Sequence, residues 1–155
     1  MKKLISILIP CYNEALSLPI LIPKLEDIAN NLKQYDWEFL CVNDGSKDNT
    51  LEVLRELRTV YNRVNYIDLS RNYGKENAML AGFDYVKGDC MVIMDADLQH
   101  PPHVIIQMLE KWEEGNDDVY ASRLTRGKES WLRKKLSLLY YRILQRSTRL
   151  EVLPN

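Results

Sequence analysis

The sequence predicts an α/β protein with a mostly parallel central sheet and helices on both faces. Three observations carry that prediction. Short apolar runs of strand length alternate with longer segments of helical spacing. The connections between them are of the length that βαβ units require. Polar, turn-forming loops follow successive apolar runs, and a parallel sheet with right-handed crossovers collects such loops on one edge.

Residues 4–9 are almost wholly apolar and read as the first strand, with Pro10 to Glu14 as the loop at its carboxyl end. Residues 17–33 read as a helix, with Leu21, Leu25, Ile28 and Leu32 at helical spacing. Ser17 is its N-cap candidate, Pro19 is tolerated in the first turn, and Pro23 is expected to kink the helix or delay its start. Residues 37–42 form a second strand, and residues 43–49 are rich in turn formers. Asp48 or Asn49 caps the next helix, in which Leu51, Leu54, Leu57 and Tyr61 share one face. Residues 64–69 make a third strand, followed by the polar loop 70–75. Residues 76–86 carry Ala78, Ala81 and Gly82, small residues suited to close packing of a helix on a sheet. The run Met91 to Met94 reads as a fourth strand buried on both faces. After it, Val104, Ile105, Met108, Leu109 and Trp112 fit one helix face, entered through Pro101 and Pro102. Residues 118–122 are expected to be a fifth strand and residues 131–149 a last helix.

A chain of 155 residues suits one hydrophobic core. With 28% charged and 46% hydrophobic residues it has the balance of a globular protein. A net charge of −1 argues against binding nucleic acid through bulk electrostatics. No apolar run approaches the ~20 residues that span a bilayer. The N-terminus has the basic start of a signal peptide, but its apolar run is short and lacks a small-residue cleavage site. The odd cysteine count, Cys11, Cys41 and Cys90, with no C-x-x-C, suggests buried reduced thiols of a cytosolic protein.

The chemistry concentrates where the fourth strand ends. Asp95 and Asp97 stand there with one residue between them, followed by Gln99, His100, Pro101 and Pro102. Paired carboxylates are hard oxygen ligands suited to Mg²⁺ or Mn²⁺ and a phosphate-bearing substrate. The other loops on that edge add Glu14, Asp44 and Asp48, together with Arg71 and Lys75. Crowded carboxylates call for a cation, and the basic side chains can then meet phosphates. No G-x-G-x-x-G follows the first strand, which leaves a dinucleotide-binding reading weak, and no G-x-x-x-x-G-K-[ST] occurs, which excludes P-loop chemistry. No nucleophile elbow accompanies His100 and His103, and no third nitrogen or sulfur ligand joins them.

Four motifs in order carry a resemblance: Ile9-Pro10-Cys11-Tyr12-Asn13-Glu14, Val42-Asn43-Asp44-Gly45-Ser46-Lys47-Asp48, Ser70-Arg71-Asn72-Tyr73-Gly74-Lys75, and Asp95-Ala96-Asp97-Leu98-Gln99-His100-Pro101-Pro102. Together they resemble family 2 glycosyltransferases, in particular the polyprenyl-phosphate branch typified by dolichol-phosphate-mannose synthase. The resemblance implies a GT-A fold, a Rossmann-like three-layer sandwich. It also implies inverting transfer of a hexose from a UDP- or GDP-sugar, of UDP-glucose or GDP-mannose type, to a polyisoprenyl phosphate, assisted by Mg²⁺ or Mn²⁺. Pro10, Tyr12, Asn13 and Glu14 then resemble the nucleoside cradle, with Val42 and Asp44 at the base. Asp95 and Ala96 fall on the nucleotide and sugar side, and Asp97 and Gln99 resemble direct metal ligands, with Asp95 beside them. Arg123 matches the family arginine near the donor phosphates, so Asp97 and Arg123 are the catalytic candidates. Lys75 is a further phosphate contact.

The resemblance also suggests a division into a nucleotide-sugar-binding core, residues 1–130, and a basic amphipathic helix from 131 to 155. On that helix Arg133, Lys134, Lys135, Arg142, Arg146 and Arg149 flank an apolar stripe, as in interfacial helices that meet anionic lipid headgroups. The expected location is therefore cytoplasmic, peripheral on the inner face of the membrane. Expected partners are the nucleotide sugar and the lipid phosphate, with no nucleic acid; a second copy of the chain is a further candidate. Catalytic domains of the family continue past the point where this sequence stops, so the donor half is expected to be complete and the acceptor half truncated. The alternative reading is a donor-binding fragment that needs a missing segment or partner for turnover.

Overall fold

The structure, a computed structural model, describes residues 1–121. Strands and helices alternate as β1 (Lys3–Cys11), α1 (Leu18–Asn31), β2 (Tyr35–Asn43), α2 (Thr50–Val60), β3 (Val64–Asp68), α3 (Lys75–Phe83), β4 (Cys90–Ile93) and α4 (Val104–Glu113). The four strands form one parallel sheet in the order β3-β2-β1-β4. β1 is thus central: Ile7 lies opposite Phe39 on one side and Val92 on the other.

Alternation along β1 splits the core into two layers. Ile5, Ile7, Ile9 and Cys11 join Trp37, Phe39, Cys41, Val64 and Val92 under α1, α2 and α4. Leu8, Leu40 and Val42 face the other way, onto Ala78 and Met79 of α3. The chain moves outward from β1 to β2 to β3 and then returns to the opposite flank for β4. Right-handed crossovers therefore put α1 and α2 on one face and α3 on the other. The reversal occurs between β1 and β4, so a crevice opens there at the strands' carboxyl ends.

Several local expectations are corrected. Ser17 stands at the N-cap of α1, but its hydroxyl donates back to Glu14 and accepts no bond from a helix N–H. Pro23 lies inside α1, which still begins at Leu18. Leu21, Ile22 and Leu25, all buried, hold this stretch to the sheet. β4 is buried on one face only: Val92 is 5% exposed, but Met91 is 38% and Ile93 44%. Among the described residues it is an edge strand, paired with β1, and α3 lies over β1 and β2 instead. Residues 118–121 form no strand: none of the described strands pairs with them, and residue 122, where the expected strand ended, lies outside the described residues. A first compact unit runs from Met1 to Gly115. The expected boundary after residue 130 and the basic helix from 131 lie outside the described residues. Among the described residues no helix is long and apolar enough to cross a membrane.

Candidate active site

Three loops at the carboxyl edge are bonded into one frame. The first, residues 12–17, meets the second through Asn13, whose N–H donates to Ser46 Oγ (2.9 Å) and whose Oδ1 accepts from Lys47 N (2.8 Å). Glu14 N donates to Thr50 Oγ1 (2.8 Å), and Thr50 in turn donates to Asp48 Oδ1 (2.5 Å). Partial desolvation pushes the Asp48 carboxyl up, but bonds from Thr50 and Ala15 outweigh it and hold it below its ordinary range. The second loop meets the third through Asp44. This buried carboxylate accepts from Tyr73 N (2.7 Å) and Gly74 N (2.9 Å). Gly45 allows the contact: its φ is +60°, and a Cβ there would lie 2.2 Å from the carbonyl carbon of Arg71. Arg71 stacks its guanidinium over the Tyr73 ring at 4.8 Å. The Tyr73 hydroxyl, bonded to Ser70 and near Arg71, is held below its usual range.

The fourth loop leaves β4 at Met94, which is buried, and turns at Leu98 with φ +61°. Asp97 Oδ1 accepts from Gln99 N (2.9 Å) across this turn. Asp95 Oδ1 pairs with Lys75 Nζ at 2.5 Å, joining the fourth loop to the start of α3.

These loops enclose a pocket of about 300 Å³ in the β1–β4 crevice. Pro10, Tyr12, Glu14, Asp44, Lys75, Asp95, Ala96 and Asp97 line it, with Cys11, Asn72 and Ala78. So eight of the residues singled out in the sequence share one cavity. Three others, all among the described residues, do not line it. Val42 is fully buried and packs with Leu8 and Ala78, because its strand position faces α3. Asn13 serves the loop frame. Gln99 is carried by the left-handed turn at Leu98 into a neighbouring hollow of about 540 Å³, beside Lys24, Asp27 and His103. Arg123 lies outside the described residues. Asn72, which the residue-level reading passed over, lies inside the third motif, and its place in that loop was the available signal.

The pocket's chemistry is that of an oxygen-rich, cation-seeking cleft. Among the described residues no group of three His, Cys, Asp or Glu side chains stands close enough to hold a metal ion alone. Two adjacent carboxylates nevertheless suit Mg²⁺ or Mn²⁺, which bind by one or two carboxylates and complete their shells with phosphate and water oxygens. Cys11, on the pocket floor, is no ligand of this kind. Its hydrogen bond with Cys41 and its burial hold the thiol well above its ordinary range, so it stays protonated and its sulfur is soft.

The model of glycosyl transferase family 2 matches residues 6–155. The chain belongs to that family. The uncharacterized glycosyltransferase YkcC of Bacillus subtilis (strain 168) is 42% identical over 147 residues, which is 95% of this chain and 45% of YkcC. This family 2 chain thus spans about half the length of the curated relatives it matches. Among solved structures, a mannosyltransferase from Pyrobaculum calidifontis, in complex with GDP-Man and Mn²⁺, superposes with TM-score 0.58 at 22% identity, covering 77% of this chain and 34% of that one. S. aureus TarS 1-349 in complex with UDP-GlcNAc gives TM-score 0.58 at 20% identity, covering 84% of this chain and 37% of that one. These likenesses establish the α/β fold of GT-A glycosyltransferases.

Proposed function

We propose that the β1–β4 pocket binds a nucleotide sugar with a divalent cation, and that the whole protein transfers the sugar to a polyisoprenyl phosphate. The observation that carries this reading is the convergence of Tyr12, Asp44, Lys75, Asp95 and Asp97 on one cleft at the reversal point of the sheet. Open α/β sheets bind nucleotides at such points, and neighbours of this fold are named for complexes with GDP-Man and UDP-GlcNAc. Tyr12, 40% exposed at the pocket's mouth, offers a ring against which a base can stack. Asp44 keeps both carboxylate oxygens on backbone amides, so its first task is to hold the third loop in place beneath the nucleoside.

Asp95 and Asp97 would hold Mg²⁺ or Mn²⁺, with Gln99 as a ligand only if the loop rearranges around Leu98. An ion held there would supply Lewis-acid stabilisation of the charge that grows on a departing nucleoside diphosphate. Lys75 and Arg123 would add positive charge at the same oxygens. A lipid phosphate is already ionised near neutral pH, so it needs little help from a general base. The work would take place at the inner membrane face, where the basic segment 131–155 meets anionic headgroups.

Calorimetry with GDP-mannose and UDP-glucose tests the donor site. Binding of one of them is expected with Mn²⁺ and not with chelator, and Asp97→Ala is expected to abolish it. Unchanged affinity in that variant would count against the assignment. A second reading is a donor-binding module without turnover on its own, favoured by a pocket whose assigned residues all serve the donor and its ion. Metal-dependent binding with no sugar transferred to polyprenyl phosphate would select it.

A further inference from the structure

We infer that Lys75 is the resident cation of the donor-free pocket: it occupies Asp95 until a nucleotide-bound divalent ion takes that carboxylate over, and so couples metal binding to donor binding. The inference rests on the donor-site reading above and adds a positioning residue to it. Three observations support it.

Lys75 is the first residue of α3, and its backbone is fixed from behind. Gly74, with φ +95°, donates its N–H to the buried Asp44 carboxylate at 2.9 Å. From that fixed root the ammonium reaches across the pocket to Asp95 Oδ1 at 2.5 Å. The pair is open to solvent, with the lysine side chain 51% and the aspartate side chain 32% exposed. An exposed ion pair of this kind holds weakly, by about 1 kcal/mol or less, so it can be exchanged. Asp95 and Asp97, with one residue between them, line the same cavity, and the ammonium neutralises one of two neighbouring like charges.

A divalent ion arriving alone must displace Lys75 and leaves that ammonium without a partner. An ion arriving with a diphosphate brings a new anionic partner within the lysine's four-carbon reach. Lys75 then leaves Asp95 for the phosphates, and the two ligands favour each other. Linkage requires the effect to be reciprocal.

Mn²⁺ titrations followed by electron paramagnetic resonance, with and without UDP or GDP, test this in the full chain. Lys75→Met is expected to bind Mn²⁺ alone about three- to fivefold more tightly than wild type, the factor an exposed ion pair is worth. The same variant is expected to lose about tenfold of the enhancement that the nucleoside diphosphate gives to Mn²⁺ binding. Lys75→Arg, which keeps a cation at the site, should behave like wild type in both respects. Lys87→Met, away from the pocket, should change neither. If Lys75→Met binds Mn²⁺ alone no better than wild type while the diphosphate enhancement persists, the resident-cation role is overturned and the donor site stands. If wild type binds Mn²⁺ with neither diphosphate, the donor-site reading falls and this inference with it.

Discussion

Gly45 is the residue at which the site tolerates least. Its positive φ and the 2.2 Å approach of a Cβ to the backbone of Arg71 leave no accommodating movement that spares the loop frame. Gly45→Ala is expected to cost at least about 2 kcal/mol of stability, read as a lower urea midpoint, and to weaken nucleotide binding as the second and third loops part. Asp48 gives a pH signature. Its carboxyl lies below the ordinary value of 3.8 because bonds from Thr50 and Ala15 outweigh its desolvation. The unfolded chain therefore binds that proton more readily, so the stabilisation is complete above about pH 4 and is lost as pH falls through the lower folded value. Asp48→Asn should narrow its stability deficit to wild type as the pH drops below about 4, in urea titrations across that range. The sequence made Asp95 and Asp97 legible because an apolar run ends at them. It did not reveal that Asn13 ties two loops or that Asp44 spends its carboxylate on the amides of Tyr73 and Gly74. Those are partnerships across some 30 residues, and no local pattern encodes them.

At the scale of the element, α3 is the piece that links fold to site. A Cβ on Gly82 would lie 2.3 Å from Leu8 Cδ1, and Leu8 is fully buried in the central strand. Gly82→Val is expected to lift the helix from β1 at a cost of about 1–3 kcal/mol, with an unchanged denaturant slope. Because Lys75 opens the same helix, nucleotide affinity should fall as well. α1 is tied to the turn before β3 by Arg63, which meets Glu26 and Asn30. Glu26 is only 8% exposed, so Arg63→Ala is expected to cost about 2 kcal/mol by leaving that carboxylate without its countercharge. Thermal melts would show the loss with the pocket intact. The small residues of α3 were readable in advance as a close-packing surface. The exposed face of β4 was not, since a strand's place at a sheet edge is a tertiary property that four apolar letters cannot express.

For the whole molecule, the order β3-β2-β1-β4 governs both stability and function. β1 is paired on both sides over much of its length, so its amides and those of β2 should exchange last in native-state hydrogen exchange, with β4 opening earlier. Adding Mn²⁺ and the nucleotide sugar should slow exchange in residues 10–14, 70–75 and 94–97 together; protection confined to one of these segments would argue against a shared cleft. The alternation of strand and helix foretold the parallel sheet. The strand order, which creates the cleft, follows only from which flank β4 takes. A practical lesson for protein engineers lies in how the rim is built. Three of its loops are laced together through bonds to main-chain amides, while a side-chain clasp, Lys75 on Asp95, ties the segment after β4 to the third of them. Libraries meant to alter donor preference should therefore randomise the stretch after β4 and leave the laced loops as a fixed chassis.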